Sequence, residues 1–326
     1  MASAKVIFIA LTLTWVGTAI GSYVEPIVKV VNSEVSTLGE GPYWDSANQV
    51  LYYVDVLGGT FNRLNPVTRE LRKVNKGVGV QFIIPYADGS GNFITSRKHE
   101  IWRLNFENET NTVLARVRPE LPERENFNDA KCDARGRLFV GTILYDEQEN
   151  KVPFGGALYR LDGDKVTQVA HGFTVTNGMA WSNDKNSSKF YLNDSEGRKI
   201  YHFDYDLATG NLTNQRLLID CDKSPDFVPG EFPDGMVMDK QGFIWVAMWN
   251  GGRVVKIDVD MARVVDQVRL ENVTIPSSLA PGVYEGNDGY FVTTATVDIP
   301  PEKLKPDDGK ILHISFQGGE VHTFRP

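Results

Sequence analysis

One phrase recurs six times along this chain: a polar turn, an apolar strand, a glycine-containing turn, then a strand of aromatic and branched residues. It appears as "WDSANQVLYYVDVLGGTFNRLNP" and as "YADGSGNFITSRKHEIWRLNF". "CDARGRLFVGTI" with "GGALYRLDGD" is the third copy, and "WSNDKNSSKFYLNDSEGRKIYHFDYDLATG" the fourth. "MDKQGFIWVAMWNGGRVVKIDVD" and "YEGNDGYFVTTATVD" with "GKILHISFQGGE" complete the set. The turn residues Asp45, Asp88, Asp133, Asn183, Asp239 and Asn287 lie 43, 45, 50, 56 and 48 residues apart. Units of that length, each able to supply four short strands, are the mark of a β-propeller. A β-sandwich also has short strands and regular turns, but it does not repeat one phrase six times. No long amphipathic stretch of helical period competes. The expectation is an all-β, six-bladed β-propeller of four-stranded blades with a central metal site. The segment "IVKVVNS" is expected to close the ring as the outer strand of the last blade.

The first residues read differently. Lys5 precedes an apolar run from Val6 to Val16, and Ala19 and Gly21 are small residues at suitable positions for cleavage. The pattern is that of a secretory leader, residues 1–21, cut after Gly21. An uncleaved anchor is the alternative, although the run is short for a span. Residues 22–326 then form a single propeller domain. Sequons at Asn108, Asn186, Asn193, Asn211 and Asn272 fit an extracellular glycoprotein. Asn193 lies inside the strand-like "KFYLNDS" and is the least suitable acceptor. Cys132 and Cys221 could pair in an oxidising compartment or remain buried thiols. The formal net charge of −8 and the lack of a basic block exclude nucleic acid as an expected partner. A monomer acting on a small molecule, with no membrane contact after leader removal, is expected.

Polar residues stand where innermost strands should begin. They are Glu40 in "LGEGPYWD", Asn128 and Asp129 in "NFNDAKCD", Asn177 in "TVTNGMAWS" and Asp234 in "FPDGMVMD". Glu40, Asn128, Asn177 and Asp234 precede their turn markers by five, five, six and five residues. Similar steps in four blades put four side chains at one depth around one axis. Two carboxylates and two amide oxygens suit a hard divalent cation. Bare, the carboxylates would repel and be poorly solvated. Each residue alone could instead be a turn or cap residue.

At these residues the chain resembles the regucalcin family, which includes gluconolactonases, senescence marker protein and insect luciferin-regenerating enzymes. "GEGPYWD", "NDAKCDARGRLFVGT", "TNGMAWSND", "FDYDLATG", "PDGMVMD" and "WVAMWNGGRV" carry the resemblance over nearly the whole mature chain. It implies one divalent ion (Ca²⁺ or Zn²⁺, with Mg²⁺ or Mn²⁺ also able to bind) on Glu40, Asn177 and Asp234. It also implies that Asp234 is the catalytic base and that Asn128 and Asp146 contact substrate. The family often has Arg where "ENFNDAK" has Asn126, so a charged fork for substrate oxygens is missing. The last blade lacks the family's usual "FGG".

The reading is metal-dependent hydrolysis of a lactone or small ester, with the metal polarising the carbonyl and Asp234 activating water. Organophosphate hydrolysis on the same site and non-catalytic binding of Ca²⁺ or a small ligand are the alternatives. The nucleophile motif G-x-S-x-G and the zinc motif H-E-x-x-H are absent. His99, His171, His202, His313 and His322 are scattered, as surface or turn histidines would be. Phe127, Tyr145 and Trp249 are expected near the mouth, where they would favour apolar substrates.

Overall fold

The computed structural model describes residues 26–117, 124–163 and 165–316. The expected leader with its cut after Gly21, and His322, lie outside them. Pro26–Val30 (β1) opens the described chain. Blade 1 is Gly39–Asp45 (β2), Val50–Asp55 (β3), Thr60–Leu64 (β4) and Leu71–Asn75 (β5). Blade 2 is Val80–Pro85 (β6), Asn92–Arg97 (β7), Glu100–Asn105 (β8) and Thr110–Arg116 (β9). Blade 3 is Glu125–Cys132 (β10), Leu138–Leu144 (β11), Gly156–Asp162 (β12) and Lys165–Phe173 (β13). Blade 4 is Thr176–Trp181 (β14), Lys189–Asp194 (β15), Lys199–Asp206 (β16) and Asn211–Asp220 (β17). Blade 5 is Phe232–Met238 (β18), Phe243–Trp249 (β19), Arg253–Asp258 (β20) and Arg263–Arg269 (β21). Blade 6 is Ile275–Tyr284 (β22), Asn287–Ala295 (β23) and Leu312–Phe316 (β24), completed by β1.

All ladders are antiparallel. The strand β1 pairs with β24, matching Lys29 to His313 and Val30 to Leu312, so the N-terminal strand closes the ring as expected. The first strands β2, β6, β10, β14, β18 and β22 adjoin one another in a closed circle around the channel. Most of the repeated turn residues work as expected. Asp45, Asp88, Asp133 and Asp239 accept backbone N–H groups two to four residues on through one carboxylate oxygen. In blade 4 that role falls to Asp184, while Asn183 donates across to the carbonyl of Asp239.

The apolar core is not one mass but six slabs, one between each pair of neighbouring blades. Strands alternate their side chains between two faces, so every blade feeds two slabs. This explains the cysteines. Cys132 borders the slab between blades 2 and 3, whereas Cys221 lies in the slab between blades 4 and 5. Both thiols are unpaired, and burial pushes each up to about 12. It also corrects the placement of Phe127. That ring is fully buried in the slab between blades 2 and 3 and does not reach the mouth. Among the described residues, no helix is long and apolar enough to cross a membrane.

Candidate metal centre

Each inner strand carries an irregularity at the same height. In five blades, two residues of the inner strand oppose a single residue of its partner. The pairs are Gly41-Pro42, Gln81-Phe82, Asn128-Asp129, Asn177-Gly178 and Asp234-Gly235. In blade 6 the extra residue is Ser277. A bulge of this kind frees two residues from the ladder and turns their side chains. Asn128, Asn177 and Asp234 therefore occupy one equivalent position. Glu40 does not: it is the last paired residue before its bulge, opposite Val54. Equal counts to the turn had hidden this one-residue offset.

Glu40 nevertheless joins the group, because its carboxyl feels both Asp234 and Asp129. Burial, then repulsion from Asp234 and Asp129, pushes the Glu40 carboxyl well above the ordinary range. Burial, then Asp129, does the same to Asp234. Asp129 is raised by burial and eased by Lys131. Glu40 and Asp129 lie deep in the molecule yet remain partly accessible, as channel-lining groups do; Asp234 is 3% exposed. Among the described residues, none of the three carboxylates makes an ion pair. Lys131, half-buried, donates its Nζ to the Met236 carbonyl at 2.7 Å. Sequence reading passed over Lys131, although it stands two residues after Asp129 on the same strand.

The negative charge, only partly offset by Lys131 and Lys151, fits a divalent cation held by Glu40, Asn177 and Asp234. Among the described residues, no three His, Cys, Asp or Glu side chains are placed to hold an ion by themselves. The Asn177 amide could add an oxygen donor to the two carboxylates. Asn177 Nδ2 donates to Asp234 Oδ1 in a very short contact, and to Ser195 Oγ at 3.1 Å. Asn128 Nδ2 donates to the Thr176 carbonyl at 3.1 Å, tying blade 3 to blade 4. Asn126 Oδ1 is buried and has no hydrogen-bond partner. Asp146 is spent locally, its Oδ1 accepting the N–H groups of Gln148 and Asn150 at 2.9 and 2.8 Å. Tyr145 and Trp249 are half-buried at strand ends beside the loops that follow β11 and β19.

The backbone packing that brings blades 4 and 5 together rests on a glycine. A Cβ on Gly178 would sit 2.3 Å from the Asp234 carbonyl oxygen and 2.6 Å from the Met236 nitrogen. No other residue lets the two inner strands approach so closely at the site.

Residues 38–296 match the family described as the SMP-30/gluconolactonase/LRE-like region. The chain is 30% identical over 298 residues to regucalcin of Oryctolagus cuniculus, covering 89% of this chain and 95% of that one. A solved luciferin-regenerating enzyme shares 31% identity with a TM-score of 0.81, covering 92% and 97% of the two chains. A calcium-binding regucalcin from Agrobacterium tumefaciens superposes with a TM-score of 0.76 at 19% identity, covering 91% and 97%, and at that distance shows the shared fold alone.

Proposed function

The chain belongs to the SMP-30/gluconolactonase/LRE-like family, and from that premise we propose that it is a divalent-metal-dependent hydrolase of a lactone or related small ester. Family membership supports a lactonase-type function at the coarse level. The observation that carries the finer reading is the group at the channel axis: Glu40 and Asp234, repelling and without an ion pair among the described residues, beside the Asn177 amide. Two carboxylates and an amide oxygen are hard donors, which makes Ca²⁺ the first cation to try.

A bound cation would supply Lewis acidity toward a carbonyl oxygen. The chain's own groups do the rest. Glu40, Asn177 and Asp234 are the donors. Asp234, fixed by Asn177, is the base that takes a proton from the attacking water. Asn128 sits at the equivalent bulge position, one blade from Asn177 and two from Asp234, and orients the substrate. Asn126 offers an unpaired amide oxygen but no charge, which suits a less hydroxylated substrate than a sugar lactone. The outward position of Asn108, Asn186, Asn211 and Asn272, all exposed, supports their use as glycan acceptors in a secreted monomer.

Turnover against a panel of aliphatic lactones, sugar lactones and phosphotriesters, with and without chelator, tests the proposal. Chelator-sensitive turnover of lactones is expected. Chelator-sensitive turnover of phosphotriesters alone would move the electrophile to phosphorus. Metal binding without any turnover would leave a binding protein.

A further inference from the structure

The sequon Asn193-Asp194-Ser195 lies beside the site and faces inward. All three residues are buried, Asn193 completely. Asn193 Nδ2 donates to the Asp234 carbonyl oxygen at 2.6 Å, and Ser195 Oγ donates to the Pro233 carbonyl oxygen at 2.7 Å. Between them, Asp194 Oδ1 accepts the N–H groups of Thr174 and Val175, both at 3.0 Å. Three consecutive residues thus grip the approach to β14 on their own blade and the opening of β18 on the next. Those two segments carry Asn177 and Asp234.

Ser195 does something more specific. Its single hydroxyl hydrogen is committed to Pro233, so toward Asn177 it can only accept. The two Asn177 Nδ2 hydrogens go to Ser195 Oγ and Asp234 Oδ1. Turning the amide over would set its oxygen against a carboxylate oxygen and against a hydroxyl with no hydrogen left to give. With Asp234 ionised, as a metal donor is, the arrangement permits one amide orientation, in which the Asn177 carbonyl oxygen is left free for another partner.

We propose that Asn193, Asp194 and Ser195 are positioning residues of the cation site. In this assignment Ser195 presets the Asn177 carbonyl oxygen as a ligand, Asn193 and Ser195 fix the backbone that carries Asp234, and the sequon is not a glycan acceptor. The assignment rests on the reading of Asn177 and Asp234 as metal donors.

The test is Ca²⁺ titration by calorimetry, with apo melting measured alongside, in four proteins: wild type, Ser195→Ala, Asn177→Asp and the double variant. Outer partners of this kind change metal affinity by about 10–100-fold. Ser195→Ala should weaken Ca²⁺ binding by about that factor in the native background. An aspartate at 177 presents oxygen whichever way it turns, so the same Ser195→Ala change there should cost less than about threefold. Equal losses in both backgrounds would reduce Ser195 to general support of the fold and overturn the assignment. So would an unchanged affinity in Ser195→Ala. A wild type that binds none of Ca²⁺, Mn²⁺, Mg²⁺ and Zn²⁺ would overturn the metal reading itself, and this assignment with it.

Discussion

Arg253→Met removes the guanidinium that Glu231 faces inside blade 5. The pair is 6% and 2% exposed. Arg253 Nε donates to Glu231 Oε2 at 3.0 Å, and its Nη2 makes a second, shorter contact to Oε1. The remaining donors go to Gln267 Oε1 at 2.7 Å and the Asp226 carbonyl at 2.9 Å. Glu231 also accepts the Val228 N–H at 2.8 Å, so the ion pair pins the loop three residues before Asp234. Methionine fills similar space but leaves a buried carboxylate without its cation, which costs about 3–5 kcal/mol. At about 2 °C per kcal/mol for a large domain, that is a fall of about 6–10 °C in Tm. Glu231→Gln keeps the acceptor for Val228 and removes the charge. The double variant Arg253→Met/Glu231→Gln should therefore recover at least about 1 kcal/mol over Arg253→Met alone. Urea unfolding at pH 7 of the single and double variants reads both quantities. A double variant no more stable than Arg253→Met would show that the stranded charge is not the cause.

Gly178→Ala places a methyl into the backbone of β18, where overpacking costs about 1–3 kcal/mol, so both Tm and Ca²⁺ affinity should fall; a variant with native affinity would show that blade 4 does not set the position of Asp234. Burial lowers the His313 imidazole to about 4 from its usual 6.5. The folded state thus resists its protonation, and stability that is full above pH 6.5 is lost as pH falls toward 4. At 1.36 kcal/mol per unit the shift amounts to about 3 kcal/mol. His313→Leu should flatten the stability profile across that window, and an equally steep profile would refute the assignment. Asn126→Arg adds a charged fork, and should raise kcat/KM for sugar lactones about tenfold or more, for about 1.5–3 kcal/mol of charge-assisted hydrogen bonding; unchanged kinetics would place residue 126 outside the pocket.

The propeller was legible because its signal is local and repeated. Each turn aspartate is read by backbone a few residues away, and each strand alternates over its own length. Ring closure by residues 26–30 is a long-range pairing, Lys29 with His313, and followed from the propeller architecture rather than from a local signal. The candidate ligands were legible as polar residues at strand openings, but their geometry was not. Glu40 and Asp234 share a count to the turn, yet only Asp234 stands in the bulge. The one mark of it in the sequence is the glycine that follows each residue, which sits inside the bulge in both blades and so does not reveal the offset. Asn193 and Ser195 read as a sequon because their partners, Asp234 and Pro233, are 41 and 38 residues away on another blade. Phe127 looked like a mouth residue because it adjoins two polar ones. In a strand, neighbours face opposite ways, and its neighbours' polarity marks it as inward. Asp146 was placed by family position alone, and its carboxylate caps its own loop.

The central claim is that Glu40, Asn177 and Asp234 hold one divalent cation at the channel axis. A crystal of residues 22–326 soaked in Mn²⁺, with anomalous data collected at the manganese edge, tests it directly. A single strong peak is expected in the channel, with oxygens of all three residues within about 2.0–2.6 Å, and no such peak in crystals of Asp234→Asn. A peak bound elsewhere, or a channel peak that ignores any of the three side chains, would contradict it.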